Sequence, residues 1–192
     1  MSERVERWEA TFAAGRDPWD FWSTPYEQEK FRACTRLLQA GPYQTALEIG
    51  CAGGAFTKHL AQRCNEILAL DISKAALAQA RRRLPEPQVT FARAELPQDW
   101  PAGHFDLIVF SEVLYYFTRA EITELARRAE QSLRPGGQIL LVNWLGETGE
   151  PLSGREAAEL FLGACCESVP GSRPQARAPY RVDLLTRTHR TS

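Results

Sequence analysis

Five apolar runs set the frame of the chain. They are Thr45-Ala-Leu-Glu-Ile49, Glu66-Ile-Leu-Ala-Leu-Asp71, Val89-Thr-Phe-Ala92, Phe105-Asp-Leu-Ile-Val-Phe110 and Gln138-Ile-Leu-Leu-Val-Asn143. Their apolarity is nearly continuous rather than alternating, the pattern of strands covered on both faces. Between them, Ala55 to Arg63, Ser73 to Leu84 and Ala120 to Leu133 read as helices. Strand and helix in alternation means βαβ units, and right-handed crossovers place helices on both faces of a mostly parallel sheet. A further run, Tyr180-Arg-Val-Asp-Leu-Leu-Thr186, alternates as an antiparallel or edge strand does. The fold predicted is a single α/β domain, doubly wound and mostly parallel, with an antiparallel C-terminal strand and an N-terminal helical cap.

The cap comes from the first 44 residues. A helix from Glu3 to about Ala14 buries Val5, Trp8 and Phe12, and a second, from Pro25 to about Gln39, puts Phe31, Cys34 and Leu38 on one face. Gly41-Pro42 stops the second helix. Thr24-Pro-Tyr-Glu27, Thr118-Arg-Ala-Glu121 and Ser153-Gly-Arg-Glu156 fit the capping box, with proline at the first helical position of the first of them. From the link between the two helices into the second of them runs "DPWDFWSTPYEQEKF", Asp17 to Phe31, with five aromatic residues and two prolines. This reads as a lid with apolar walls from Trp19, Trp22 and Tyr26, against the plainer alternative of rings that glue helices to a sheet. The division is therefore residues 1–44 as helical lid, 45–144 as ligand-binding core, and 145–192 as a C-terminal helix and edge strands. Pro170 to Pro179 reads as a flexible loop.

Composition narrows the class. The chain has 192 residues, 44% hydrophobic and 24% charged, with a net charge of −1. That is globular composition, and it argues against nucleic acid held by bulk charge. Arg81-Arg82-Arg83 falls in the last turn of a helix, where cations complement the dipole. The five cysteines (34, 51, 64, 165 and 166) are odd in number and form no Cys-x-x-Cys pair, so neither a disulfide framework nor a metal site is expected. The N-terminus lacks a signal pattern and no apolar run approaches ~18 residues, so no membrane span is expected and a cytoplasmic location is the default.

Chemistry is written at the strand ends. In doubly wound sheets ligands bind beyond the carboxyl ends of the strands. The first strand ends in Glu48-Ile-Gly50-Cys51-Ala52-Gly53-Gly54-Ala55-Phe56, a glycine turn that lets backbone approach a ligand, although Ala52 and Ala55 break the dinucleotide fingerprint. The second ends at Asp71, where a carboxylate can accept both ribose hydroxyls or cap the next helix. The third is followed by Ala94-Glu95-Leu96, a polar acceptor and an apolar face suited to adenine. The fourth runs into Ser111-Glu112 and the aromatic pair Tyr115-Tyr116, of which one is expected to face the pocket.

In combination these residues resemble the class I S-adenosylmethionine-dependent methyltransferases, with their Rossmann-like sheet. Glu48-x-Gly50-x-x-x-Gly54, Asp71, Ala94-Glu95-Leu96, the Phe105 to Leu114 stretch and Leu133-Arg-Pro-Gly-Gly carry the resemblance over residues 44–144. Asp17-Pro18-Trp19, Tyr26-Glu27-x-x-Lys30-Phe31, Cys51 to Phe56 and Glu112 to Phe117 are more narrowly similar to the nodulation protein S type of small-molecule N-methyltransferase. Those enzymes methylate the free amine of a deacetylated glucosamine unit. The resemblance implies S-adenosyl-L-methionine as cofactor, S-adenosyl-L-homocysteine as product and a small-molecule acceptor. It implies that Glu48, Gly50, Cys51, Ala52, Gly54 and Phe56 line the methionine end. Asp71 takes the ribose hydroxyls, with Ile72, Ala94, Glu95 and Leu96 around adenine, and Ser111 and Glu112 near the sulfonium. Glu112 as a base, with Tyr115 and Tyr26, forms the catalytic expectation; Trp19, Trp22, Tyr26, Tyr116 and Trp144 form the acceptor wall. No metal is needed for in-line transfer from a sulfonium. O-methylation, a nicotinamide-dependent oxidoreductase and a non-catalytic adenosine-ligand module stay open as alternatives, and the residues say nothing of oligomeric state.

Overall fold

The structure, a computed structural model, describes residues 2–13, 17–165, 168–170, 175–177 and 179–187. Two helices open the chain, α1 (Glu3–Phe12) and α2 (Pro25–Arg36). There follow β1 (Tyr43–Ile49), α3 (Ala55–Leu60), β2 (Cys64–Asp71), α4 (Lys74–Arg83), β3 (Val89–Arg93) and β4 (Phe105–Ser111). A 3-10 turn (Leu114–Tyr116) leads to α5 (Arg119–Ser132), β5 (Leu133–Trp144), α6 (Gly154–Ala164), β6 (Ser168–Pro170), β7 (Gln175–Arg177) and β8 (Tyr180–Arg187).

The sheet order is β3-β2-β1-β4-β5-β8-β6, with β7 also paired to β8. Strands β1 to β5 run parallel, and β8 lies antiparallel to β5, from Gln138 opposite Thr186 to Trp144 opposite Tyr180. The order reverses at β1, with β2 on one side and β4 on the other, which opens the crevice for a ligand. Period-two alternation divides the core. Leu107 and Val109 join Phe56, Leu60 and Leu77 on one face, while Ile108 and Phe110 join Leu125, Ala157 and Phe161 on the other. Both faces are covered, which is why the strands read as unbroken apolar runs.

Several local expectations change. Thr118 and Ser153 form complete capping boxes, but Thr24 makes no side-chain cap; Glu27 turns inward and pairs with Lys30 at 2.7 Å. A buried ammonium outbids a surface backbone N–H for the carboxylate. Arg134 to Gly137, expected as a turn before the strand, lies within β5 as an irregularity in its pairing with β4, with Gly136 at φ 78°. The expected loop from Pro170 to Pro179 holds the end of β6 and all of β7, both hydrogen-bonded to β8. The hydrogen-bonding edge of β8 outweighs proline-rich composition there. Ala14, Gly15, Cys166 and His189, and residues 171–174 and 178 of that loop, lie outside the described residues.

Candidate active site

The carboxyl ends of β1, β2 and β4 converge on a cavity of about 600 Å³, within the usual range for small-molecule sites. Its floor is the turn after β1. Gly50 takes φ 75°, and a methyl group there would meet the Val113 side chain at 2.9 Å. Gly50 and Cys51 both donate backbone N–H to the Leu70 carbonyl, which holds the turn against β2. Ala52 follows at φ 47°, costly for a residue with a Cβ, and its N–H donates to Asp71 Oδ2 at 2.8 Å. Substituting Gly50 by Ala is expected to cost about 2–3 kcal/mol from the positive φ and the contact with Val113. Thermal unfolding should then fall by roughly 5–10 °C.

Two buried carboxylates face this floor. Asp71 accepts from Ala52 N–H and, through its other oxygen, from Ser73 N–H at 2.9 Å. Burial nevertheless pushes its carboxyl up to about 6. Glu48 is 1% exposed, and its Oε2 has no hydrogen-bond partner. Burial, with Asp71 adding to it, pushes Glu48 up to about 7. An orphaned acid oxygen in a cavity wall is a place for a donor or a cation. Ser73, rather than Asp71, caps α4, accepting from Ala76 N–H.

At the end of β4 the chain turns through Glu112 in the left-handed region, φ 55°. Its carboxylate is held from three sides. Lys30 donates to Oε1 at 2.9 Å; the Tyr115 hydroxyl at 3.1 Å and the Trp144 N–H at 2.6 Å donate to Oε2. Lys30 is 3% exposed and ion-paired to both Glu27 and Glu112. Burial opposes its charge, but the two carboxylates outweigh burial, and its proton affinity is raised. Four rings, Phe21, Tyr26, Phe31 and Tyr180, surround the ammonium at 5.7–6.0 Å. Burial and the adjacent Glu112 push the Tyr115 hydroxyl far up, so it stays a neutral donor.

The outer wall comes from the N-terminus. Trp8 meets Tyr116 edge-on at 4.7 Å, and Trp19 stacks on Phe21 at 5.3 Å. Trp19 and Tyr26 are each 40% exposed, which puts them at the rim. Polar contacts moor α1: Arg4 to Glu121 at 2.9 Å, Arg7 to Glu150, and Glu9 to the N–H groups of Lys74 and Ala75.

Of the residues singled out in the sequence, Glu48, Gly50, Cys51, Ala52, Phe56, Asp71, Ile72, Ala94, Leu96, Ser111, Glu112, Tyr115, Tyr116, Tyr26, Trp19 and Trp144 all line this cavity. Both tyrosines of the 115–116 pair do so, where one was expected. Gly54, Glu95 and Trp22 do not. Gly54 packs toward Ala80 and Phe91 behind the turn. Glu95 turns away to accept the Ser2 hydroxyl at 2.5 Å. Trp22 donates its indole N–H to the Gly53 carbonyl at 2.9 Å from the outside. Lys30, Glu27 and Trp8 line the cavity without having been assigned a place in it. Lys30 and Glu27 were visible as part of a motif; nothing local in the sequence marks their burial.

Comparison with known proteins gives one consistent set. The family model for nodulation protein S (NodS) matches residues 6–144. Nodulation protein S of Sinorhizobium fredii (strain NBRC 101917 / NGR234) is 37% identical over 130 residues, which cover 66% of this chain and 60% of that protein. The chain spans roughly half to three-fifths of the length of the nodulation S relatives it matches. Among solved structures, N-methyltransferase NodS from Bradyrhizobium japonicum WM9, in complex with S-adenosyl-L-homocysteine, superposes with a TM-score of 0.83. That match has 24% identity and covers 96% of this chain and 99% of that one; it speaks for the fold. A putative methyltransferase from Pseudomonas syringae is 32% identical with a TM-score of 0.73, over 84% of this chain and 99% of that one.

Proposed function

The chain belongs to the nodulation protein S family, and from that premise we propose that it is an S-adenosylmethionine-dependent N-methyltransferase whose acceptor is a small-molecule amine of the amino-sugar class. The observation that carries this reading is a single cavity bounded by two chemically different halves. One half is the β1 turn, Asp71, Ile72, Ala94 and Leu96; the other is Glu112, Glu27, Lys30 and the aromatic wall. A group-transfer enzyme needs donor and acceptor side by side in one dry space.

The residues of the first half fit the cofactor. Asp71 uses one lone pair of each oxygen on backbone N–H groups and keeps others for ribose hydroxyls. Ile72, Ala94 and Leu96 offer apolar faces to a base. The orphaned Glu48 oxygen suits the amino-acid ammonium of a methionine-derived ligand. When bound, the cofactor supplies an electrophilic methyl group on a sulfonium. The chain's own part is to position the acceptor, to exclude water and to manage charge. Trp8, Trp19, Phe21, Tyr26 and Tyr116 provide flat apolar surfaces of the kind that pack against the C–H faces of a sugar ring. Helix α1 and the aromatic run before α2 act as the lid. The two carboxylates, Glu27 and Glu112, with the one ammonium of Lys30 carry an excess negative charge, which favours a cationic acceptor over an anionic one. Glu112 is more a fixed part of the wall than a free base, since three donors hold it.

The test is transfer of labelled methyl groups from S-adenosylmethionine to glucosamine, to a chitin oligosaccharide with one free amine, to simple alkyl amines and to hydroxyl acceptors, with mass spectrometry of the product. Methylated nitrogen on the amino sugars is the expected product; methylated oxygen alone overturns the choice of acceptor atom. Calorimetry with S-adenosylhomocysteine and with NAD is expected to show binding of the first only.

A further inference from the structure

Two carboxylates share one ammonium at the acceptor end, so one negative charge is surplus. Glu112 is supported by three donors, Lys30, Tyr115 and the Trp144 N–H. Glu27 lines the same cavity, is 9% exposed, and among the described residues its carboxylate has one partner, Lys30 at 2.7 Å. Resting on the N-methyltransferase reading above, we propose that Glu27 is the residue that binds the acceptor ammonium and takes its proton, and that Lys30 positions it.

The asymmetry of support decides between the two acids. A proton arriving at the trio settles on the carboxylate with fewer donors, because protonating Glu112 would forfeit hydrogen bonds that Glu27 never had. With Glu27 neutral, Lys30 and Glu112 remain a balanced pair, so the buried charge falls to zero instead of growing. Burial supports the same assignment, pushing the Glu27 carboxyl up; Lys30 opposes that shift, and Glu112 and Asp17 add to it. Those groups and Tyr26 are the titratable neighbours that face Glu27. The step balances. The ammonium R–NH3+ gives one proton to Glu27. The freed nitrogen lone pair forms the N–C bond to the methyl, and the S–C bond electrons pass to the sulfur of the sulfonium donor, which becomes a neutral thioether. The product leaves as R–NH2+–CH3, and Glu27 returns its proton to solvent at the cavity mouth.

The experiment compares wild type, Glu27→Gln and Glu27→Asp with glucosamine as probe. For Glu27→Gln, methyl transfer at pH 7 is expected to fall about 100-fold. The acid limb of its rate profile should follow the free-amine fraction, so the gap to wild type closes as pH passes the amine's own pKa. Glu27→Asp keeps the wild-type limb at a lower rate. Independently of turnover, binding of glucosamine to the protein loaded with S-adenosylhomocysteine should weaken about tenfold in Glu27→Gln, while S-adenosylhomocysteine binding stays unchanged. A wild-type limb in Glu27→Gln, or a loss equal at every pH, overturns the proposal and leaves the methyltransferase reading standing. If Glu27→Gln does not fold, Glu27→Asp with a free-amine limb overturns it instead. Wild-type protein that binds S-adenosylhomocysteine but methylates no amine overturns the amine reading, and this proposal with it.

Discussion

Substitution of Asp71 by alanine is expected to weaken S-adenosylhomocysteine binding at least 100-fold and to lower the unfolding temperature at the same time. Two roles meet in this carboxylate. It accepts Ala52 N–H and Ser73 N–H, and so ties the β1 turn to the start of α4. Removing it strands two backbone donors, each at about 1–3 kcal/mol. It also lines the cavity, where charged acceptors for two hydroxyls contribute about 1.5–3 kcal/mol each. Together the lost hydroxyl contacts account for a hundredfold or more in affinity. The turn matters as much as the charge, because Ala52 holds its left-handed backbone partly through this bond. Burial raises the Asp71 carboxyl to about 6, so the ligand-free protein takes up a proton there below that pH. The Asp71 contribution to affinity should therefore fall as pH drops through about 6. Titration calorimetry across pH 5–8 measures both effects. Undiminished affinity in Asp71→Ala would remove Asp71 from the ligand site.

The parallel core was legible because β1 to β5 each carry an apolar run, whereas β6 and β7 carry none and form only by pairing with β8. Helix starts at Thr118 and Ser153 were legible from four residues each. The site was legible as a set of strand ends, but not as a set of side-chain directions. Position on a strand end places a backbone, not a side chain. Glu95 follows β3 as expected, yet its carboxylate is drawn outward by Ser2, more than ninety residues away in sequence. Trp22 lies in the aromatic run, but its indole found a carbonyl on the outer side of the β1 turn. The same limit hid Lys30. A lysine in an amphipathic helix reads as a solvated charge, and only the tertiary meeting of α2 with the end of β4 and with Tyr180 buries it. Glu27 was read as half of a capping box because local chemistry offers that role first; the buried ammonium supplies a stronger partner. The free base expected at Glu112 met the same difficulty, since its third donor is the backbone of Trp144 on a neighbouring strand.

Glu48 gives the largest expected effect of pH on stability. Its carboxyl rises from 4.5 in an exposed state to about 7 in the fold, through burial above all, which Thr57 opposes and Asp71 reinforces. A raised acid favours folding while both states are protonated. Its contribution is thus fully present below about pH 4.5 and is lost as pH rises through about 7. The loss is about 3 kcal/mol over that window, at 1.36 kcal/mol per pKa unit. In Glu48→Gln this contribution is absent at every pH. The buried amide adds a penalty of its own, but one that does not vary with pH, so the diagnostic is slope and not level. Unfolding curves at pH 5, 6, 7 and 8 should show wild type falling faster than the variant, which keeps the Asp71 titration but lacks that of Glu48. Ligand binding should reverse the sign. A cationic group beside the unpartnered Oε2 stabilises the carboxylate, so wild-type affinity for S-adenosylhomocysteine should rise as pH climbs toward 7, while that of Glu48→Gln stays lower and lacks this rise. Parallel stability curves for the two proteins would mean that Glu48 is already ionised in the ligand-free fold. Together these outcomes would show a buried acid, largely protonated below about pH 7, that couples entry of a cationic ligand to proton release at the floor of the cavity, where the β1 turn and Asp71 meet.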